Sequence, residues 1–201
     1  MKITLIDYGA GNLPSVERAL RRLGAETERV TTAEPLGRAT AIVLPGVGHY
    51  AAVVRALDEQ GLRSAVGERI AAGVPFLGIC LGLQALYESS EEAPGLAGLG
   101  ILRGKVEALP RHVKLPHMGW NQVRPRRETR LFRSIPDDEF FYFAHSYAAT
   151  ETSPVVAATC EHGAQFVAAV ERENLFAVQF HPEKSATAGA RVLANFLEAA
   201  R

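Results

Sequence analysis

Cys80 lies in a stretch whose residue types and spacing could build a nucleophile. Gly78 and Gly82 flank it at two residues on either side, within the apolar run 74–86. This spacing parallels the Gly-x-Ser-x-Gly turn between a strand and a helix, with sulfur for oxygen, and small residues keep such a turn sharp. A thiolate in the first turn of a helix also gains from the helix dipole. An isolated cysteine is more often a small buried hydrophobic residue, so the assignment depends on partners elsewhere in the chain.

A second chemical motif, Phe180-His181-Pro182-Glu183, follows an apolar run near the C-terminus. Open α/β sheets build their sites at strand ends, which is where this motif would lie. Pro182 favours an extended backbone at His181, so the side chains of His181 and Glu183 tend to project to the same side. A zinc deaminase also has a His two residues before a Glu, but its Cys-x-x-Cys partner is absent from this sequence. With Cys80, the motif predicts a Cys–His–Glu triad in which Glu183 orients the imidazole.

The first half of the chain alternates the strands and helices that would position Cys80. Short apolar runs predict strands, and the runs around Val43 and Ile79 lack alternation, as strands buried on both faces do. Four alternations of strand and helix indicate a parallel sheet with helices on both faces. The predicted strands are 2–6, 26–30, 41–44 and 76–79, and the predicted helices are 14–23, 51–57, 62–72 and the segment 81–86.

The second half reads mainly as β structure. Turn signals at His162-Gly163 and Glu173-Asn174 predict antiparallel hairpins, and a helix with one apolar stripe closes the chain at 186–200. Residues 110–121 are predicted to be a long connection. The predicted strands are 101–109, 121–124, 139–144, 155–159, 165–170 and 175–180. The fold class is therefore α/β, with an open, mixed, mainly parallel sheet flanked by helices and additional antiparallel strands in the second half.

Composition excludes several classes of protein. The 201 residues are 47% hydrophobic, enough for one buried core, and a single domain over 1–201 is predicted. Lys plus Arg equals Asp plus Glu at 22 each, so no overall field favours nucleic acid or an anionic membrane. Two cysteines without metal-ligand spacing, and no signal-like or membrane-spanning run, predict a soluble cytoplasmic protein without a metal. A dinucleotide motif after the first strand is rejected, because Pro14 occupies the place of its third glycine.

Two weaker patterns can each be interpreted in two ways. Gly46 and Gly48 surround Val47 after the third strand, and their freedom would let a backbone N–H point at a developing oxyanion. On that segment alone, an ordinary turn between strand and helix is preferred. A basic stretch further along is either a solvated face or part of a partner surface; it comprises Arg124, Arg126, Arg127, Arg130 and Arg133.

These residues resemble a known family. Gly78 to Gln84 together with His181-Pro182-Glu183 is similar to the class I (triad) glutamine amidotransferases. More particular strings resemble, within that class, the glutaminase subunits of imidazole glycerol phosphate synthase, which act in histidine biosynthesis. Those strings are Asp7-Tyr8-Gly9-Ala10-Gly11-Asn12-Leu13, Leu44-Pro45-Gly46-Val47-Gly48, Pro116-His117-Met118-Gly119-Trp120-Asn121 and His145-Ser146-Tyr147.

The resemblance implies hydrolysis of L-glutamine to glutamate and ammonia without a cofactor. The ammonia would pass to a separate synthase (cyclase) subunit, in a heterodimer, which forms imidazole glycerol phosphate and an aminoimidazole ribotide. Cys80 would be the nucleophile, forming a γ-glutamyl thioester; His181 its base and then its acid; and Glu183 the orienting carboxylate. The resemblance further assigns the oxyanion hole to backbone amides of Val47, Gly48 and Leu81, and substrate contacts to Gln84, Glu92, His145, Ser146 and Tyr147. His117 and Trp120 are either part of a packed loop or contacts to the partner, and an exposed aromatic residue in a connection rich in Gly and Pro suits an interface.

Three other functions compete with this interpretation. The chain could be a class I amidotransferase subunit serving another synthase, although the string from Pro116 to Asn121 argues against it. It could be a cysteine hydrolase acting alone, against which Gln84 and the segment 145–147 favour an amino-acid substrate. A non-catalytic interaction module would be expected to lack a member of the triad, and Cys80, His181 and Glu183 are all present.

Overall fold

The computed structural model describes residues 1–126, 128–150 and 153–201. The strands within these ranges are β1 (Lys2–Ile6), β2 (Glu26–Val30), β3 (Ile42–Gly46), β4 (Phe76–Cys80), β5 (Ser89–Ser90), β6 (Lys105–Ala108), β7 (His117–Pro125), β8 (Glu139–His145), β9 (Tyr147–Ala149), β10 (Val156–Glu161), β11 (Gln165–Arg172) and β12 (Leu175–Val178). The α-helices are α1 (Leu13–Arg22), α2 (Ala33–Leu36), α3 (Tyr50–Glu59), α4 (Leu62–Ala71), α5 (Leu81–Gln84) and α6 (Ala186–Ala199), and a 3₁₀ turn spans Pro182–Lys184.

A nine-stranded sheet in the order β2-β1-β3-β4-β12-β11-β10-β7-β8 forms the centre of the molecule. The pairs from β2 to β12 are parallel, and the pairs from β12 to β8 are antiparallel. A second, three-stranded sheet has the order β5-β6-β9. The large mixed sheet confirms the predicted α/β class, and the hairpins β10–β11 and β11–β12 turn where His162-Gly163 and Glu173-Asn174 predict.

Helices cover both faces of the large sheet because its central strands are apolar on both faces. Every residue of β3, β4 and β12 is buried. Leu20 of α1 and Phe196 of α6 belong to the core on one face, and Val53 of α3 and Val66 of α4 belong to the core on the other. Burial on both faces is what parallel strands require, since helices shield each side from water.

The strand register brings the two chemical motifs together. Gly46 at the end of β3 lies opposite Cys80 at the end of β4, and Ile79 lies opposite Val178 at the end of β12. Because these three strands are parallel, their carboxyl ends meet at one edge of the sheet. His181, three residues beyond β12, therefore returns close to Cys80.

Some sequence predictions are wrong in extent. The segment 110–121, predicted to be a connection, contributes β7 from His117 onward, and β7 pairs with β8 over the register from His117↔His145 to Val123↔Glu139. The strand predicted at 101–109 is confined to Lys105–Ala108.

The basic stretch is mostly neutralised locally. Its ion pairs are Arg124 with Asp138 at 2.9 Å, Arg130 with Glu171 at 3.1 Å, and Arg133 with Glu198. Arg127 lies outside the described residues. The pairs favour the solvated-face interpretation. No helix in the part of the chain that the structure describes is long and apolar enough to cross a membrane.

Candidate active site

Cys80 ends β4 in a backbone conformation that L-residues seldom adopt. Its φ is 54° and its ψ is −106°, a strained geometry for a residue with a Cβ. The turn depends on close approach at its flanking glycines. A Cβ at Gly82 would lie 1.9 Å from the carbonyl oxygen of Leu44, and a Cβ at Gly78 would lie 2.7 Å from the carbonyl oxygen of Gly82. The two glycines thus permit the sharp turn that presents the thiol.

The helix behind Cys80 is shorter than predicted. It comprises Leu81–Gln84 alone, because the next carbonyls accept hydrogen bonds from a later loop: the Ala85 carbonyl from the Leu99 amide at 2.7 Å, and the Leu86 carbonyl from the Ile101 amide at 2.9 Å. A single turn sums few peptide dipoles. The electrostatic partner of Cys80 is therefore His181 rather than the helix.

His181 stands between Cys80 and Glu183. Its Nδ1 lies 3.0 Å from Glu183 Oε1, which leaves Nε2 to interact with Cys80. The backbone at His181 is extended, as Pro182 predicts. Its amide donates to the carbonyl of Tyr142 in β8 at 2.8 Å, and this bond helps to fix the position of the base.

The charges of His181 and Glu183 stabilise each other. Burial alone would lower the pKa of His181, but its contacts with Cys80 and Glu183 outweigh burial and raise the pKa to about 10. Burial would raise the pKa of Glu183, yet the hydrogen bond and charge of His181 hold it below the usual value. An opposite charge within hydrogen-bond distance favours both ionised forms. The site therefore favours an imidazolium held between the anionic carboxylate of Glu183 and the sulfur of Cys80.

Asn12 also holds the carboxylate. Its Nδ2 donates to Glu183 Oε1 at 3.1 Å, and its side chain makes no capping hydrogen bond to α1. The other carboxylate oxygen, Oε2, is buried and has no hydrogen-bond partner among the described residues.

A cavity of about 420 Å³ opens over the thiol. It is large enough for an amino acid, since small-molecule sites commonly span about 300–1,000 Å³. Its lining contains ten of the residues singled out by sequence, namely Val47, Gly48, Cys80, Leu81, Gln84, Glu92, His145, Ser146, Tyr147 and His181, together with Gly11, Asn12, Ala144 and Lys184. A larger groove of about 750 Å³, between Pro125 and Ile135, contains none of these candidates.

The candidate oxyanion donors are not equivalent. Leu81 begins α5, where an N–H has no partner within the helix. The N–H of Val47 instead donates to the hydroxyl of Tyr8 at 3.2 Å, and Tyr8 does not line the cavity. Gly48 has a φ of 99°, a conformation that glycine adopts without strain.

A chain of hydrogen bonds defines the tautomers of two buried histidines. Asn121 Nδ2 donates to the Glu161 carbonyl at 2.8 Å, so the same NH₂ group faces His117 Nε2 at 3.1 Å, and that nitrogen must accept. His117 Nδ1 then carries the proton and donates to His145 Nε2 at 3.0 Å. His145 Nδ1 in turn donates to the Tyr147 carbonyl at 2.9 Å. Both ring nitrogens of His145 are thus occupied, and it borders the cavity without a free polar atom.

The chain continues from the Tyr147 carbonyl to the thiol. That carbonyl also accepts from Gln84 Nε2 at 2.8 Å, and the same Nε2 donates to Gln179 Oε1 at 3.0 Å. Gln179 Nε2 lies 3.6 Å from Cys80 Sγ, within hydrogen-bonding range for sulfur. Gln84 Oε1 is buried without a partner among the described residues, which leaves an acceptor at the cavity wall.

One further candidate behaves differently from the prediction. His117, predicted with Trp120 to contact a partner, is only 5% exposed and stacks on His162 and Phe143, so it does not present a contact surface. Trp120 is 52% exposed and remains available. Glu92 Oε2 accepts from the Tyr50 amide at 2.8 Å at the start of α3.

Sequence reasoning included Tyr8 and Asn12 in the family string 7–13 but gave no role in the site to either of them or to Gln179. Only Gln179 carried a usable signal, because it lies two residues before His181 and an extended strand turns alternate residues to one side. Asn12 and Tyr8 contact residues that are distant in sequence, Glu183 and Val47, and no local pattern reveals such contacts. No cluster of His, Cys, Asp and Glu suited to a metal occurs within residues 1–126, 128–150 and 153–201.

We expect the free energy of unfolding to fall by about 2–4 kcal/mol from pH 7 to pH 5. Burial lowers the pKa of His117 to about 4 and that of His145 to about 3, whereas both titrate near 6.5 when unfolded. Below pH 6.5 the unfolded chain therefore binds protons that the folded chain cannot, and stability is lost. His181 has a raised pKa and is protonated in the folded chain throughout this range, so the proton that the unfolded chain gains at this residue below pH 7 offsets a small part of the loss. Urea unfolding at the two pH values measures the difference.

A variant pair tests the cause of that slope. His145→Asn keeps a donor for the Tyr147 carbonyl without a titrating ring, so the loss on acidification should shrink. His112 is exposed, and His112→Asn should leave the loss unchanged. Equal pH dependence in the parent and in both variants would assign the slope to other groups.

The fold and this site define a class of protein. Residues 4–200 match the family model described as glutamine amidotransferase class-I. A solved structure described as a glutamine amidotransferase superposes with a TM-score of 0.78 at 22% identity and covers 98% of both chains. The glutaminase domain of Trypanosoma brucei CTPS, solved with bound acivicin, gives 0.74 at 17% identity, covering 100% of this chain and 93% of that one. These structures share the fold.

Two sequence relatives narrow the class. The imidazole glycerol phosphate synthase subunit HisH of Moorella thermoacetica is 49% identical over 200 residues, covering 99% of this chain and 95% of that protein. The subunit of the same name from Methanothermobacter thermautotrophicus is 45% identical over 199 residues, covering 99% of each. The chain belongs to the class I glutamine amidotransferases and, within them, to the family of imidazole glycerol phosphate synthase HisH subunits. The predicted resemblance is confirmed.

Proposed function

We propose that this chain is the glutaminase subunit of an imidazole glycerol phosphate synthase. It hydrolyses L-glutamine to glutamate and ammonia and passes the ammonia to a separate synthase subunit. The observation that carries the proposal is the grouping of Cys80, His181 and Glu183 beside a cavity of amino-acid size, with His181 hydrogen-bonded to Glu183 and interacting with Cys80. The names of the two relatives support the choice of synthase over another ammonia acceptor.

The first half-reaction transfers the glutamyl group to sulfur. His181 holds the proton of Cys80, and the thiolate attacks the side-chain carbonyl carbon of glutamine. Negative charge develops on the carbonyl oxygen, where backbone N–H groups of Leu81 and the Val47–Gly48 segment stabilise it. The C–N bond breaks as the His181 imidazolium protonates the leaving nitrogen. The products are ammonia and a γ-glutamyl thioester.

The second half-reaction releases glutamate. His181, now neutral, takes a proton from water, which attacks the thioester carbonyl. The C–S bond breaks, its electron pair remains on sulfur, and the imidazolium is restored beside the Cys80 thiolate. Glu183 keeps Nδ1 protonated throughout, so Nε2 faces the reacting atoms in both steps.

The other cavity residues would hold the amino-acid end of the substrate. The Glu92 carboxylate and the unpartnered Gln84 Oε1 are acceptors suited to the α-ammonium group. Ser146, between β8 and β9, and Tyr147, the first residue of β9, border the same space. In this proposal His145 acts by positioning the Tyr147 carbonyl, because its own ring nitrogens are occupied.

An exposed apolar row suits the docking of the synthase subunit. Cross-strand neighbours share a face of the sheet, and the β7–β8 register pairs Met118 with Ala144 and Trp120 with Tyr142. Met118 is 65% exposed and Trp120 52%, although large apolar side chains are usually covered. Ala144 of this row also lines the cavity, so a partner seated here would lie beside the outlet for ammonia.

We expect the free chain to be a weak glutaminase that its partner activates by about 10²–10³-fold. The Val47 N–H is engaged by Tyr8 and is therefore unavailable to an oxyanion. Gly46 and Gly48 let the intervening peptides rotate, so a partner that prefers the productive orientation shifts the population toward it. Steady-state glutaminase activity is measured for the chain alone, for the complex, and for the complex with a synthase ligand. Equal rates under the three conditions would exclude the switch.

Chemical labelling tests the proposed function directly. A glutamine-analogue electrophile should modify Cys80 and spare Cys160, which is buried away from the cavity. Mass spectrometry of the digested chain locates the adduct. Labelling that glutamine does not slow, or a failure to pull down the synthase subunit, would count against the proposal. The chain would act as one domain without a cofactor, and its two free thiols suit a cytoplasmic location.

A further inference from the structure

Gln179 is a buried polar residue just beyond the carboxyl end of β12, a central strand of the large sheet. It follows β12, and the register that pairs Val178 with Ile79 brings it beside Cys80. Its side chain is fully buried, and its backbone amide donates to the Ala168 carbonyl at 2.9 Å. Burying an amide costs free energy unless it is hydrogen-bonded. An apolar residue would fill the same space without that cost. The hydrogen-bond partners of the amide therefore indicate what a polar residue does at this position.

Its neighbours determine which end of the Gln179 amide faces the thiol. Gln84 Nε2 donates to the Tyr147 carbonyl, which can only accept, so the NH₂ group of Gln84 is identified without ambiguity. That NH₂ group also contacts Gln179 at 3.0 Å, and the contacted atom must be the oxygen. The NH₂ group of Gln179 is thereby turned toward Cys80 Sγ, at 3.6 Å.

We infer that Gln179 is a further catalytic residue, whose amide N–H donates to the Cys80 sulfur whenever that sulfur carries negative charge. A thiol or thioester sulfur is a weak acceptor, whereas hydrogen bonds to charged groups are about twice as strong as neutral ones. The bond therefore strengthens as charge develops on sulfur and weakens as sulfur becomes acylated.

This dependence on charge assigns Gln179 to a particular step of the proposed reaction, on which the inference rests. When water cleaves the thioester, the C–S bond breaks and its electron pair goes to sulfur, while the proton of water goes to His181. Charge thus appears on Sγ in the transition state, beside the Gln179 N–H. Interactions stronger in the transition state than in the preceding intermediate accelerate the step. Gln179 accordingly promotes expulsion of the thiolate, while the backbone N–H groups stabilise charge on oxygen.

The test uses Gln179→Met in the complex with the synthase subunit. A hydrogen bond to a charged group is generally worth about 10–100-fold, and we expect kcat to fall by that factor. Because thioester cleavage becomes rate-limiting, the KM for glutamine should fall with kcat, and kcat/KM should fall less. Rapid quenching followed by mass spectrometry should show the γ-glutamyl thioester on Cys80 accumulating during turnover. Parent-like kcat, or a fall in kcat/KM without accumulation of the thioester, would overturn the inference.

A second variant guards against a folding defect. Gln179→Glu keeps the size and the acceptor for Gln84 but presents an oxygen to sulfur, so it should slow thioester cleavage at least as much as Gln179→Met. Gln165→Met replaces an exposed glutamine of β11 and should behave as the parent does. Thermal unfolding and complex formation verify the fold. A parent chain that never forms a thioester on Cys80 would refute the proposed function instead, which keeps the two failures distinct.

Discussion

Replacing Cys80 with serine is expected to lower glutamine hydrolysis by about 10⁴-fold or more while the chain keeps its fold and its partner. The two side chains are nearly the same size, so the strained turn and the cavity persist. A serine hydroxyl is far less ionised than a thiol at neutral pH, and His181 then faces a group that it cannot convert to an anion in the resting state. Ammonia release by the complex gives the rate, and thermal unfolding of the variant gives the stability.

The chain offers a matched control for this substitution. Cys160 on β10 is also buried, and burial raises the pKa of its thiol to about 12, so it is not a nucleophile at neutral pH. Cys160→Ser should therefore retain glutaminase activity. Near-normal ammonia release from Cys80→Ser would remove Cys80 from the role of nucleophile.

His181→Ala is expected to lower the rate of glutamine hydrolysis by about 10⁴-fold or more. The loss in Glu183→Gln should be smaller than that by a factor of roughly 10 to 100. Alanine removes the group that exchanges protons with sulfur, nitrogen and water. Glutamine at position 183 still offers an oxygen to His181 Nδ1 but no longer stabilises the imidazolium with a charge. Steady-state ammonia release by each complex compares the two losses.

The exposed His112 provides the control for loss of an imidazole, and His112→Ala should retain full activity. A Glu183→Gln variant more impaired than His181→Ala would contradict the division between base and orienting carboxylate. Comparable losses from His112→Ala and His181→Ala would remove His181 from catalysis altogether.

The catalytic motifs are readable from sequence because their spacing is local. Gly78, Cys80 and Gly82 lie within five residues, and Pro182 constrains the backbone of the histidine before it. The apolar runs of β3 and β4 are likewise readable, since burial on both faces removes alternation. Local chemistry and burial pattern were sufficient to predict the class of fold and to single out Cys80, His181 and Glu183, which the structure brings together.

What sequence reasoning missed depends on distant pairing. The segment from His117 onward contains glycine and follows proline, which disfavours a strand, yet pairing with β8 satisfies its backbone and makes it one. The helix after Cys80 stops at Gln84 because a loop about fifteen residues later supplies donors to the next carbonyls. Asn12 reaches Glu183 across the full length of the chain, and no periodicity encodes such a contact.

The position of β12 has a consequence for how the chain is made. β12 is the last strand in sequence, yet it lies between β4 and β11 in the interior of the sheet. During synthesis from the N-terminus, β4 emerges long before its neighbour β12. Closing the long loop between these two strands is entropically costly and slow. An apolar strand edge therefore stays open through most of translation, which is a hazard for aggregation. The histidine that follows β12 meets its cysteine only when the sheet closes, so an unfinished chain carries the thiol but releases no ammonia.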